Sequence, residues 1–175
     1  HEMGHAIHRY YSNNNQEYYY SDNVIFVAEI ASTVNETLLN LYMLEHNKNK
    51  KLIANEILED IKNTVFRQTM FAEFELEVHN KSFNGESLSK DILNSIYLNL
   101  LKKYNGDCVV YDDYVKYEWS RIPHFYSPFY VYQYATGYSI AFAIANKIYN
   151  GDKEMLKKYI EFLKSGSNDY PTNLV

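Results

Sequence analysis

Apolar positions along the chain recur every three to four residues, the spacing of amphipathic helices, and no sustained alternating pattern marks a strand. A first helix is expected over about 1–11. The polar, tyrosine-rich stretch 12–20 reads as a loop, after which Ser21 and Asp22 offer an N-cap to a long helix over about 23–45. The lysine- and asparagine-rich run 46–51 is a solvated break. A third long helix follows over about 52–78. Asn84-Gly85-Glu86 then turns the chain into a fourth helix over about 88–104, which ends at Asn105-Gly106. Residues 107–122 are irregular and aromatic, with room for a short strand. Pro123 and Pro128 bracket a turn, and a long helix is expected over about 128–149, stopped by Asn150-Gly151. The last helix covers about 152–163 and Ser165-Gly166-Ser167 ends it. No repeat or linker divides the chain, so the pattern predicts one all-α domain over residues 1–175.

Composition narrows the function classes. The formal net charge is −5, which argues against a nucleic-acid role, because phosphate binding needs a basic surface. No apolar run is long enough to span a membrane, and we expect a cytoplasmic protein. Cys108 is the single cysteine, so no disulfide can form within the chain. The 19 tyrosines are the unusual feature.

The chemistry begins at the first residue. His1-Glu2-Met3-Gly4-His5 is an HExxH pattern. On a helix, i and i+4 lie on one face, so His1 and His5 can present two imidazole nitrogens to one metal ion. Glu2 is one step round the helix, within reach of a water on that metal. Two neutral imidazoles, a carboxylate and an open position make a catalytic zinc site. The bare pattern also arises by chance on polar helix faces, so the remaining ligand carries weight. A chain whose first residue is a metal ligand is expected to have lost its natural start.

Glu17, Glu29, Glu36 and Glu45 are the downstream candidates for a third ligand. Glu17 lies in a polar loop and Glu45 near a helix end beside lysines, where solvent satisfies both. Glu29 lies inside the apolar run 25–31, which is expected to be largely buried. A buried carboxylate without a partner is costly, and metal binding removes that cost. Glu36 falls two turns later on the same face and is placed to accept from the free nitrogen of a ligand histidine. The competing readings are a buried salt bridge for Glu29 and an exposed surface acid for Glu36.

A second dense stretch runs from His124 to Tyr138 and holds five tyrosines. Peptide hydrolysis builds negative charge on the former carbonyl oxygen, and neutral donors placed there stabilise the transition state more than the ground state. A tyrosine hydroxyl and a neutral histidine suit that task. Helical spacing puts Tyr130, Tyr134 and Tyr138 on one face, with Pro128 opening the helix and His124 just outside its first turn. An aromatic core stripe is the plainer alternative, and a nearby zinc site favours the donor role for His124 and Tyr134.

At these residues the sequence resembles the M3 family of zinc peptidases, in its oligoendopeptidase F branch. Residues 1–8 match the family's HExGHxxH helix, and 20–22 with 26–36 match its second-helix signature. The stretches 66–75, 122–137 and 162–167 are similar to three further characteristic segments, so the resemblance covers essentially the whole chain. It implies that His1, His5 and Glu29 bind one zinc ion and that Glu2 is the general base. It also implies that His124 and a tyrosine of the following helix face the substrate, Tyr134 as the best positional match and Tyr130 as the second.

The implied fold is the all-α, multi-helix catalytic part of a gluzincin-type peptidase. The whole family fold is a mostly helical two-lobed clam with a deep channel that admits short peptides and excludes folded proteins, and the part before His1 normally supplies one wall of that channel. Family members are several times longer, so 1–175 corresponds to the C-terminal part of the catalytic domain, with the N-terminal part of the enzyme as an expected partner. Members also continue past Tyr170-Pro171 with a short helix, expected to be missing here. The implied activity is zinc-dependent endopeptidase cleavage of oligopeptides. The alternatives are a catalytically incomplete fragment that serves as an interaction module, and a related zinc carboxypeptidase. The latter would need a cationic clamp from Arg9, Arg67 or Arg121, the only arginines.

Overall fold

A computed structural model describes residues 1–175. The chain is predominantly helical, in eight α-helices: α1 Glu2–Asn15, α2 Ile25–His46, α3 Lys50–Asp60, α4 Arg67–Phe83, α5 Lys90–Asn105, α6 Tyr132–Tyr149, α7 Lys153–Lys164 and α8 Pro171–Leu174, with a long connection over 106–131 between α5 and α6. The all-α expectation holds, and no strand forms near 107–122. That stretch is built instead from 3-10 turns at Gly106–Cys108 and Val115–Arg121. The chain divides into two compact units, one of His1–Asp60 with Thr136–Val175, the other of Ile61–Ala135.

The first unit is organised around α2. Val27, Ile30, Ala31 and Val34 follow i, i+3, i+4, i+7 spacing and are fully buried. Complete burial of side chains such as Ile30 or Val34 contributes on the order of 1.5–3 kcal/mol each. They meet Ala141 and Ala145 of α6 and Phe162 and Leu163 of α7 in one apolar cluster. Asp152 caps α7, its carboxylate accepting from the Met155 amide at 2.9 Å. The chain leaves α7 through Gly166 at φ 56°, where a side chain would collide with the Tyr20 carbonyl. That same carbonyl accepts from the Ser167 amide at 2.8 Å, and Gln16 Nε2 donates to the Lys164 carbonyl at 2.8 Å. The end of α7 is thus pinned to the segment after α1.

The second unit packs α4 against α5. Met70, Phe71 and Phe74 interlock with Ile96, Tyr97, Leu100 and Leu101, and Ile122 and Val131 close the cluster. Polar bonds tie the 115–121 turn to this frame. Trp119 Nε1 donates to Asn94 Oδ1 at 2.9 Å, and the Tyr97 hydroxyl donates to Glu118 Oε2 at 2.8 Å. Burial is the main cause that pushes the Tyr97 hydroxyl far above its ordinary pKa, which keeps it a donor to Glu118.

Several boundaries differ from the sequence expectation. α1 runs on through Asn15, with Asn14 and Asn15 side chains donating back to the carbonyls of Tyr10 and Tyr11. The expected N-cap at Ser21-Asp22 does not form. α2 starts after Val24 without a side-chain cap, because Ser21 Oγ donates to the Tyr18 carbonyl and Asp22 pairs with Arg9 at 2.8 Å. The third helix is three pieces, α3, a wider i→i+5 stretch at Ile61–Phe66, and α4. α6 begins at Tyr132, four residues later than expected, and α8 forms a short helical turn where none was expected.

Candidate metal centre

His1 and His5 stand one turn apart on α1, and the His1 carbonyl accepts from the Gly4 amide at 2.8 Å, so His1 serves as the helix N-cap. Their Nε2 atoms lie 3.2 Å apart. Glu29 on α2 closes the triangle, with Oε2 at 3.5 Å from His1 Nε2 and Oε1 at 3.7 Å from His5 Nε2. One ligand atom from each of the three falls within 4.8 Å of the others. Three potential ligand atoms held this close are an arrangement that a bound cation satisfies. The donor set of two imidazoles and one carboxylate therefore fits zinc.

Glu36 meets the other side of the His1 ring, its Oε2 at 3.1 Å from Nδ1. A carboxylate there fixes the ring orientation and leaves Nε2 free to bind a metal. Glu2 is exposed on the first turn of α1. Glu29 corrects one expectation: its side chain is 35% exposed, although Val27, Ile30 and Ala31 around it are fully buried. The carboxylate lies at the rim of the apolar face, where a ligand from solution can reach it. Of the other candidates, Glu17 is exposed and Glu45 accepts from the Tyr149 hydroxyl.

The close approach of α1 to α2 depends on Gly4. A Cβ at that position would lie 2.6 Å from Ser32 Cα and 3.1 Å from Asn35 Cβ. One turn on, His8 is buried and its ring stacks on Phe162 at 5.7 Å. Burial, with a smaller contribution from His5, lowers its pKa to about 4, so it packs as a neutral ring.

The sequence reading did not single out Asp60. Burial, then the carboxylates of Glu36, Glu56 and Glu59, raise its pKa. Tyr138 is raised by burial, then by Asp60 and Glu36. The surroundings of Glu36 are therefore acidic, which favours a cation nearby. The acidic run that ends α3 was the available signal.

In the second unit, Pro123 opens a 3-10 turn over Pro123–Tyr126 that carries His124. His124 Nε2 lies 3.2 Å from the Tyr134 hydroxyl, a hydrogen bond whose direction follows the imidazole tautomer. Tyr130 stacks on His124 at 6.0 Å and meets Tyr134 edge-on at 5.7 Å. The expectation that Tyr130 and Tyr134 share a helix face does not hold, since Tyr130 precedes α6. Pro128 opens no helix, because Phe129 adopts a left-handed φ of 54°. The three rings nevertheless gather through the turn.

The sequence profile of peptidase family M3 matches residues 1–175, and the chain belongs to that family. Among individual relatives, it is 50% identical over its whole length to the oligopeptidase PepF of Bacillus subtilis and covers 27% of that protein. It is 44% identical to the group B oligopeptidase PepB of Streptococcus agalactiae, covering 30% of it. The crystal structure of oligoendopeptidase-F from Enterococcus faecium matches 99% of this chain with a TM-score of 0.87 and 44% identity, over 32% of that protein. The chain thus spans about a third of the length of these relatives or less. No helix is long and apolar enough to cross a membrane.

Proposed function

We propose that this chain is the zinc-bearing part of an endopeptidase that cleaves short oligopeptides, with the cytoplasm as its place of action. The observation that carries the reading is the convergence of His1, His5 and Glu29 with Glu36 behind His1. The names of the relatives support oligopeptides as the substrate class. The relatives' greater length supports the remainder of such an enzyme as the natural partner of these 175 residues.

In this reading His1, His5 and Glu29 hold one zinc ion. Zinc bound there supplies Lewis acidity that brings the pKa of a coordinated water toward neutrality. Glu36 orients His1 through Nδ1. Glu2 takes the proton of the attacking water and later passes it to the leaving amine. His124 and Tyr134 donate hydrogen bonds to the scissile carbonyl oxygen as its charge develops, with Tyr130 packed against both rings.

The test is zinc content after gel filtration, followed by hydrolysis of an internally quenched peptide by Glu2→Gln. The expected result is about one zinc per chain in both proteins, and a loss of turnover of about 10²–10⁴-fold in the variant. A chain that takes up no zinc, or a Glu2→Gln variant with undiminished turnover, overturns the reading.

A further inference from the structure

We propose that Glu75 is a positioning residue for the His124–Tyr134 pair. Its consequence for turnover rests on the donor role proposed for that pair. Glu75 lies in the middle of α4 and is only 4% exposed. An apolar residue would pack there at less cost, because a buried carboxylate must find strong hydrogen bonds. Its partner is the backbone: Oε1 accepts from the Phe129 amide at 2.6 Å. A short bond from a peptide N–H to a carboxylate is charge-assisted and directional.

The bonded residue is the unusual one in the segment. Phe129 is the only non-glycine residue with positive φ, a conformation that a bulky side chain adopts only when its surroundings hold it. One turn beyond Glu75 on α4, the His79 ring lies 4.7 Å from the Phe129 ring. α4 therefore grips Phe129 by backbone and side chain together.

The grip matters because of what lies on either side. Ile122 and Val131 are buried, and Phe125 packs on Phe71 and Phe74 at 5.6 and 5.2 Å. His124 sits before the left-handed turn and Tyr134 after it. Their 3.2 Å contact spans the reversal at Phe129. Apolar packing fixes the flanks, but the sense of the turn between them is set at Phe129, where Glu75 is the hydrogen-bonding anchor.

The experiment compares Glu75→Ala and Glu75→Gln in the zinc-loaded protein, using peptide kinetics, zinc content, thermal stability and the ring ¹⁵N resonances of His124. Glutamine keeps an acceptor oxygen for the Phe129 amide, whereas alanine removes it. Misplacing a donor by about an ångström costs on the order of 100-fold, so Glu75→Ala should lower kcat by about that factor with KM nearly unchanged and zinc retained. Its His124 resonances should move toward those of Tyr134→Phe. Glu75→Gln should restore kcat and the His124 signals to near wild type. Wild-type kcat and His124 signals in Glu75→Ala, or equal loss of activity and stability in both variants, overturns the proposal. If the wild-type protein cleaves no peptide even together with the remainder of the enzyme, the peptidase reading fails while the His124 resonances still decide the role of Glu75.

Discussion

Gly4 and Ser32 stand so close that a single methyl group at Gly4 would lie 2.6 Å from the Ser32 α-carbon. The obstacle is backbone, which cannot swing aside. Glycine inside a helix is about 1 kcal/mol worse than alanine by intrinsic propensity, so Gly4→Ala would stabilise an isolated α1. In the folded chain the overlap outweighs that gain, since forcing extra volume into a tight contact costs about 1–3 kcal/mol. We therefore expect Gly4→Ala to lower the melting temperature and to weaken zinc binding, because Glu29 lies on the same α2 face as Ser32. Thermal denaturation and zinc titration check this. A variant more stable than wild type would show that α1 and α2 are free to move apart.

Glu36 touches His1 on the nitrogen away from Glu29, at 3.1 Å. Removal of such a partner typically weakens metal binding by about 10- to 100-fold, and Glu36→Ala should fall in that range. Glu36→Gln should lose less, as its amide oxygen still accepts from Nδ1. Competition against a chelating dye reads both variants. Wild-type affinity in Glu36→Ala would mean that the α1 backbone alone orients His1.

Tyr134→Phe removes one hydroxyl and keeps the ring that packs edge-on to His124 and Tyr130. Loss of one transition-state donor costs about 10²–10³-fold in kcat. Steady-state kinetics should show that loss in kcat with little change in KM. A change confined to KM would make Tyr134 a substrate-binding residue only.

His8 predicts a pH dependence of stability. Its folded pKa is lowered to about 4 from the ordinary 6.5. Between those values the unfolded chain holds one proton more than the folded chain, so stability rises with pH across the window. The contribution is complete above about pH 6.5 and is lost as pH falls through about 4, on the order of 3 kcal/mol in all. Denaturant unfolding of metal-free protein from pH 7 to pH 4 should show the decline. His8→Phe keeps a ring against Phe162 and should lack that part of the slope. An unchanged slope would assign the titration to other groups.

The helices themselves were legible in the sequence. Spacing alone put His1 and His5 on one face, and the apolar repeat at Val27, Ile30, Ala31 and Val34 defined the buried side of α2. These are local properties, fixed by the 3.6-residue turn and by which side chains avoid water. The start of α6 was not legible. Pro128 is a good helix opener, but Phe129 turns left-handed and bonds to Glu75, 54 residues earlier in the chain. The Ser21-Asp22 cap failed for a similar reason, as Arg9 on the preceding helix takes the Asp22 carboxylate.

The sequence by itself determined the all-helical class and the two histidines on one helix face, and it pointed to Glu29 as the third ligand and Glu36 as the support of a ligand histidine. Only the tertiary structure decided that Glu29 meets both imidazoles, that Glu36 backs His1, and that Gly4 is the residue on which α1 and α2 close. It also decided that His124, Tyr130 and Tyr134 gather through a turn and not along one helix. The division is physical. Periodicity encodes which face of an element is buried, whereas the distance between two faces depends on side-chain volumes and backbone turns contributed by residues far apart in the chain.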